Sequence, residues 1–196
     1  ILIAMYEVCK YKLVLGSASP RRKELMSGAG LDFSIRLADI DESNFPQFND
    51  PADVPVYLSK QKADALFSTL TNNELLITAD TVVIIDGDIM GKPADRTEAI
   101  AMLKRLSGST NKVVTGVTLM SKEKYESFNV STDVHFRELS NQEIEYYVDT
   151  YKPFDKAGAY GIQEWIGYVG ITGIEGSFYN VMGLPIQSIF VKLKEF

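Results

Sequence analysis

The sequence is poor in the residues that build metal cages and multi-histidine active sites. Its 196 residues include one cysteine, Cys9, and one histidine, His135. A single cysteine excludes an internal disulfide and a cysteine metal cage, and it indicates a reducing compartment, so we expect a cytoplasmic protein. A single histidine excludes a multi-histidine metal site. Any divalent metal would therefore be held by oxygen ligands, which favours Mg²⁺ or Mn²⁺.

An excess of positive charge and a long apolar run are also missing. The formal net charge is −6, with 20 Lys and Arg against 26 Asp and Glu. Proteins that coat nucleic acid are usually basic, whereas a small anionic ligand needs only local positive charge. No apolar run reaches the roughly 18 residues of a membrane span. We therefore expect neither nucleic acid nor a membrane as partner.

Strand-like and helix-like segments alternate along the chain. Apolar runs predict strands at 12–16, 31–37, 75–85, 112–120 and 125–137. Helical spacing and caps predict helices after Ser19, over 53–70, after Asp95, from Ser140 to about 149, and after Pro185. Residues 39–50 read as a loop, and the glycine-rich stretch 155–177 as irregular with short strands. The length fits one large domain or two small lobes sharing a sheet, and the class is α/β with a mixed sheet.

Residues 16–22 (GSASPRR) combine a strand end with a helix start. Ser19 before proline predicts the helix N-cap, where free N–H groups attract anions, and Ser17 adds a hydroxyl. Arg21 and Arg22 then lie in the first turn, where each costs about 0.3–1 kcal/mol against the helix dipole unless an anion compensates. This conflict indicates a phosphate site. The alternative is an ordinary capped helix with two solvated arginines.

Two charged residues mark the apolar stretch that follows. Asp80 lies within a strand that should be buried on both faces, where a carboxylate needs a cation, a metal or a substrate. The alternative is an aspartate at a strand end, bonded to loop amides. A hairpin turn at 86–87 would place Lys92 opposite Thr81. Strict alternation then puts Lys92 and Asp80 on opposite faces, so a bulge or a strand end must bring them together. Otherwise Lys92 is a surface lysine.

Residues 154–163 (FDKAGAYGIQ) allow a ligand to approach the backbone closely, because small residues and two glycines dominate there. Gln163 could read the edge of a base through its amide. The alternative is a structural loop. His135 lies in an ordinary strand and is interpreted as structural.

Taken together, these segments resemble the Maf family of nucleoside triphosphate pyrophosphatases. The resemblance rests on SASPRR, ADTVV, GKP, DKAGAYGIQ and GSFYNVMGLP, and it covers nearly the whole chain from Lys12. It implies cleavage between the α- and β-phosphates. It also implies a mixed, elongated twisted sheet with flanking helices in two lobes around a central cleft, related to the inosine triphosphate pyrophosphatases. We expect one domain over 1–196, with 1–11 as an extension to the first strand, and a possible homodimer.

The resemblance also implies roles for individual residues. Asp80 falls at the position of the catalytic acid, taken as the proton acceptor, and Glu42 falls at another active-site position. As a hypothesis for the mechanism, Asp80 and Glu42 hold Mg²⁺ or Mn²⁺. Arg21, Thr81 and Gln163 match the three specificity positions of members that act on dTTP and UTP. The substrate-binding set is Ser17, Arg21, Arg22, Lys62, Lys92, Thr81 and Gln163.

Two other functions stay open from the sequence. Some Maf proteins are associated with septum formation and cell division, so the chain could be a nucleotide-binding regulator with little catalysis. It could also be a house-cleaning enzyme for modified pyrimidine nucleotides. An intact acid at Asp80 and the basic set argue against a pure regulator, since a binder needs no water-activating acid.

Overall fold

A computed structural model describes residues 8–42 and 45–196. One mixed sheet forms the centre of the structure. Its strands are β1 (Lys12–Leu15), β2 (Phe33–Ile35), β3 (Glu74–Ile85), β4 (Asp88–Met90), β5 (Thr110–Met120), β6 (Tyr125–Phe136) and β7 (Ile171–Glu175). The helices are α1 (Pro20–Gly28), α2 (Val54–Leu66), α3 (Arg96–Leu106), α4 (Asn141–Tyr151), α5 (Trp165–Gly170), α6 (Phe178–Val181) and α7 (Ile186–Leu193). None of these helices has both the length and the apolarity needed to span a bilayer.

Strand β3 connects the two halves of the sheet. The strand order is β2-β1-β3-β5-β6-β7, and β4 also pairs with β3. β1 runs parallel to β2 and β3, whereas the other pairings are antiparallel. The apolar run of β3 is buried on both faces, as expected for a central strand. The predicted α/β class and the mixed sheet with flanking helices are therefore confirmed.

The two faces of the sheet are covered unequally. One face packs on α2 through small clusters that include Leu58, Leu66 and Leu76. The opposite face carries the main core, to which α1, α3, α4, α5 and α7 contribute. Helix α2 lies so close to β5 that a Cβ at Gly116 would collide with the backbone of Pro55. This close packing of α2 on β5 fixes the position of the polar side chains of α2, Lys62 among them.

Several predicted boundaries need correction. The strand expected at 31–37 is confined to Phe33–Ile35, and the helix expected over 53–70 is α2 flanked by short 3-10 turns. The stretch 155–177 contains β7 as expected, but also the unpredicted helix α5. Helix α5 is six residues long and includes two glycines, so it is too short to show a helical period.

Candidate functional site

The site begins with a gap along one edge of β3. On that edge β1 pairs with residues 74–77 and β4 pairs with residues 83–85. Between them, no strand of the described chain covers residues 78–82, although β5 pairs with this segment on the other edge. The gap opens into a cleft of about 900 Å³. Because side chains alternate, both faces of β3 can supply residues to this cleft.

All nine residues predicted for the site line this one cleft. They are Ser17, Arg21, Arg22, Glu42, Lys62, Asp80, Thr81, Lys92 and Gln163. They come from α1, α2, β3 and four loops, so only the fold brings them together.

The start of α1 lies at the mouth of the gap. Ser19 occupies the N-cap position and Pro20 the first helical position, as predicted, but the Ser19 side chain makes no capping hydrogen bond. Instead the Ser19 N–H donates to Ser17 Oγ at 3.2 Å. The first turn of α1 therefore keeps the unpaired N–H groups that suit an anion.

The Arg22 guanidinium donates its hydrogen bonds to oxygen atoms of the protein. Its Nε donates to Gly183 O at 2.8 Å, its Nη1 to Ala79 O at 2.8 Å, and its Nη2 to Thr81 Oγ1 at 3.2 Å. Ala79 O faces the open edge of β3, so Arg22 replaces a missing strand partner. Burial lowers the pKa of the Arg22 guanidinium, and the negative charges of Asp80 and Glu42 oppose that shift. Arg22 thus joins α1, β3 and the segment before α7.

Arg21 has a different environment. Its Nη1 lies 3.0 Å from Asp155 Oδ2, and the two side chains are 26% and 61% exposed. An ion pair this exposed contributes little to stability, about 0–1 kcal/mol. Arg21 therefore remains available to an anion in the cleft.

Lys62 lies between two carboxylates. From α2 its Nζ reaches Asp80 Oδ1 at 2.7 Å and Glu42 Oε1 at 3.2 Å. It also donates to Ala79 O at 3.4 Å. Lys62 and Asp80 are both buried, whereas Glu42 is about half exposed. Asp80 is thus a paired carboxylate facing the cleft, and the alternative of an aspartate bonded only to loop amides is wrong.

The acidic residues fit a metal only in part. Asp80 and Glu42 supply the hard oxygen ligands that Mg²⁺ and Mn²⁺ prefer, but Lys62 bridges them. Among the described residues there is no group of three acidic, histidine or cysteine side chains that could cage a metal. His135 bonds Thr110 and Glu175 and does not line the cleft. The donor set therefore suits a metal that takes its remaining ligands from a bound anion.

Lys92 reaches the cleft through a strand end, one of the two options that the alternation argument left open. Strand β4 ends at Met90, and Gly91 O accepts a hydrogen bond from Gly158 N at 3.0 Å. Lys92 is exposed, and within 8–42 and 45–196 it makes no ion pair or hydrogen bond. It is thus a cation that a ligand could take without breaking a protein contact.

Thr81 and Gln163 are placed differently from each other. The Thr81 hydroxyl is shared between Arg22 and Thr115 Oγ1, the latter at 2.9 Å. Gln163 Oε1 is buried and has no hydrogen-bond partner in the described chain. An unpaired buried acceptor is costly unless a ligand donates to it, so Gln163 is the stronger candidate for reading a base.

Sequence reasoning missed a polar network beside Gln163. Lys156 Nζ lies 2.7 Å from Asp155 Oδ1 and 3.1 Å from Glu164 Oε1. Tyr147 of α4 donates to Glu164 and accepts from Gly161 N. Burial, followed by the bond to Glu164, raises the Tyr147 pKa well above its ordinary value. The sequence pattern did include Asp155 and Lys156 in residues 154–163, but nothing in it showed that Asp155 pairs with Arg21 of α1.

The chain is thus a mixed α/β protein whose cleft holds the carboxylates of Asp80 and Glu42, surrounded by cationic side chains. A solved structure of the same fold is that of a HAM1 protein from Coxiella burnetii, with a TM-score of 0.50 at 14% identity, covering 95% of this chain and 100% of the other. At that identity the likeness concerns the fold alone. A family model described as Maf-like protein matches residues 12–196. The chain belongs to the Maf family.

Relatives at higher identity cover almost the full length. A protein of Bacteroides thetaiotaomicron is 54% identical over 95% of this chain and 96% of its own, and one of Parabacteroides distasonis is 53% identical over 95% and 97%. A Porphyromonas gingivalis protein is 54% identical over 95% of both. All three are named dTTP/UTP pyrophosphatase.

Proposed function

We propose that this chain hydrolyses dTTP and UTP to the nucleoside monophosphate and pyrophosphate. The observation that carries the proposal is the open edge of β3, where the Asp80 carboxylate lies among Arg21, Lys62 and Lys92 in one cleft. A carboxylate next to several cations suits attack of water on a polyphosphate. The shared name of three relatives at 53–54% identity supports the same reaction.

In this reaction a water oxygen bonds to the α-phosphorus, and the bond from that phosphorus to the bridging oxygen breaks. Asp80 orients the water and accepts its proton as the bond forms. A carboxylate is too weak a base to deprotonate free water before the bond forms. A bound Mg²⁺ or Mn²⁺ would lower the pKa of water and neutralise phosphate charge. Asp80 and Glu42 would hold it together with phosphate oxygens.

The cations divide the remaining work. Arg21, Lys92 and the first turn of α1 with Ser17 bind the phosphates and stabilise the charge that grows on the leaving pyrophosphate. Lys62 keeps Asp80 and Glu42 in place, since it contacts both. Arg22 orients the open edge of β3, because its nitrogens already bind protein oxygens.

Gln163 reads the base in this proposal, and Arg21, which binds phosphate, also falls at a specificity position of the family. The unpaired Oε1 of Gln163 would accept the N3–H that uracil and thymine carry. Thr81 acts through Arg22, because the Thr81 hydroxyl oxygen accepts a hydrogen bond from Arg22 Nη2. One domain carries the whole site, because the sheet is continuous and the family match runs from 12 to 196. A homodimer and a cytoplasmic location stay predictions, as does the absence of a nucleic-acid partner.

The test is product analysis with a panel of normal and modified nucleoside triphosphates, with Mg²⁺, with Mn²⁺ and with chelator. We expect pyrophosphate and monophosphate in equal amounts from dTTP and UTP. Asp80→Asn should lower kcat at least about 100-fold, as for loss of a general base. Asp86→Asn is the matched control, since Asp86 is an exposed hairpin residue outside the cleft.

Two outcomes would contradict the proposal. Release of orthophosphate instead of pyrophosphate would mean that a different bond is cleaved. Tight nucleotide binding without turnover of any nucleotide would favour the regulator of septum formation.

A further inference from the structure

Asp155 places its two carboxylate oxygens on two different cations of the cleft. Oδ2 lies 3.0 Å from Arg21 Nη1, and Oδ1 lies 2.7 Å from Lys156 Nζ. Two oxygens of one phosphoryl group can bind a pair of cations in the same way. We propose that Arg21 and Lys156 form an anion subsite for a phosphoryl group of the nucleotide or of the pyrophosphate product, and that Asp155 fills this subsite when the cleft is empty.

The buried ammonium of Lys156 pairs with two carboxylates, although one is enough to neutralise it. Its side chain is 9% exposed and contacts both Asp155 and Glu164. A buried ammonium requires a partner, and one well-placed carboxylate provides it. Glu164 is 20% exposed and is held by Tyr147, so it is the permanent partner. The Asp155 carboxylate can therefore move away without leaving the Lys156 charge unpaired.

Asp155 is the replaceable carboxylate of the two. Its side chain is 61% exposed, so water can solvate it once it leaves the cations. Partial burial raises the pKa of its carboxyl, but hydrogen bonds from Lys156 and Arg21 outweigh that effect and leave the pKa below its ordinary value. Asp155 is therefore ionised at neutral pH and competes as an anion with any phosphate.

The position of Lys156 is fixed before an anion arrives. Tyr147 from α4 bonds Glu164 and Gly161 N, and Gly158 packs against Val83 with a left-handed φ of +68°. Both contacts anchor the loop that carries Lys156 to the body of the protein. A preorganised cation binds an anion with less loss of side-chain freedom.

The test measures binding of inorganic pyrophosphate by titration calorimetry. Lys156→Met should raise the dissociation constant for pyrophosphate about tenfold or more, which corresponds to the loss of one hydrogen bond to a charged group. Lys156→Arg, which keeps the charge, should restore part of the loss. Asp155→Asn should bind pyrophosphate more tightly than the wild type, because it removes the competing anion. Lys112→Met is the matched control, since Lys112 pairs with Asp133 at 2.9 Å and does not line the cleft.

A double-mutant cycle separates this subsite from a structural role. The tightening caused by Asp155→Asn should shrink when Lys156 is already Met, because the two residues act on the same ligand. Should Lys156→Met fail to fold, Asp155→Asn decides alone. An unchanged or weaker pyrophosphate affinity in Asp155→Asn would overturn the proposal, as would an unchanged affinity in folded Lys156→Met.

The identity of the ligand rests on the proposed function, but the two can fail separately. Absence of pyrophosphate release from dTTP by the wild type would contradict the hydrolase. The pyrophosphate affinities of the variants would be unaffected by that result. If both hold, Lys156→Met should raise KM for dTTP more than it lowers kcat, since the subsite binds phosphate in the ground state as well.

Discussion

The two walls of the cleft hold their charges in opposite ways. We call Arg22, Lys62 and Asp80 the β3 wall, and Arg21, Asp155, Lys156 and Gln163 the loop wall. In the β3 wall, Arg22 and Lys62 donate to the main chain of β3 at the gap. In the loop wall, a largely exposed carboxylate bridges two cations. The β3 wall therefore contributes to stability as well as to the reaction, whereas the loop wall can change partners at little cost to the fold.

The largest effect is expected where α2 rests on the sheet behind the β3 wall. Gly116→Ala places a methyl group into the backbone of Pro55, which cannot move without displacing α2. We expect a loss of more than about 3 kcal/mol in the free energy of unfolding, since overpacking against a rigid backbone exceeds the usual range. Urea denaturation measures this loss.

Gly173→Ala is the control for this change, because its Cβ would meet only the His135 ring at an ordinary 3.7 Å. If Gly116→Ala were as stable as the wild type, the close packing of α2 on β5 would not define the β3 wall.

A smaller but more selective effect separates the neighbouring arginines. Arg22→Lys keeps the charge but loses the planar fork that reaches Gly183 O, Ala79 O and Thr81. We expect it to lower the free energy of unfolding by about 1–3 kcal/mol, because buried acceptors lose their donors. Arg21→Lys should change stability by less than about 0.5 kcal/mol while raising KM for dTTP.

Thermal denaturation and steady-state kinetics of the two lysine variants provide this comparison. Equal losses of stability in both would remove the distinction between the walls.

The smallest effect is on stability at acidic pH. It involves α4, the helix whose Tyr147 supports the loop wall. Ser140 and Glu143 form the capping box of α4, the helix that carries Tyr147. The hydrogen bond from Arg137, followed by that from Ser140 N, lowers the pKa of Glu143 from 4.5 to about 2. Its folded pKa is depressed, so its stabilising contribution is present above pH 4.5 and is lost as the pH falls towards 2.

Glu143→Gln should therefore melt below the wild type at pH 7, and the difference should narrow between pH 4.5 and 2. Melting curves across that range measure it, with Glu138→Gln as a nearby control. A difference that stayed constant down to pH 2 would contradict the assigned role of the Glu143 carboxylate.

The sequence was sufficient for the elements that carry strong local signals. The Ser19-Pro20 start of α1, the capping box at Ser140 and the buried run of β3 were all predicted because propensity and burial agree there. Asp80 was identified for the same reason, since a carboxylate in an apolar strand has no local explanation. The need for a bulge or a strand end before Lys92 also followed from the predicted hairpin turn and strict alternation.

Contacts between distant segments could not be predicted. The distribution of the Arg22 bonds depends on Gly183, 161 residues away, and the Arg21–Asp155 pair spans 134 residues. The residue pattern therefore assigned both adjacent arginines to phosphate, and only the family resemblance gave Arg21 a further role in specificity. Helix α5 was missed because six residues give too little period to recognise.

The gap in β3 has a consequence for how the protein behaves at high concentration. A strand with an uncovered edge is a template on which another chain can add a strand, and proteins protect such edges with inward-pointing charges. Arg22 and Lys62 occupy Ala79 O on that edge. The same side chains that prepare the site for a nucleotide thus also protect the strand from self-association, so variants that neutralise both should aggregate before they unfold.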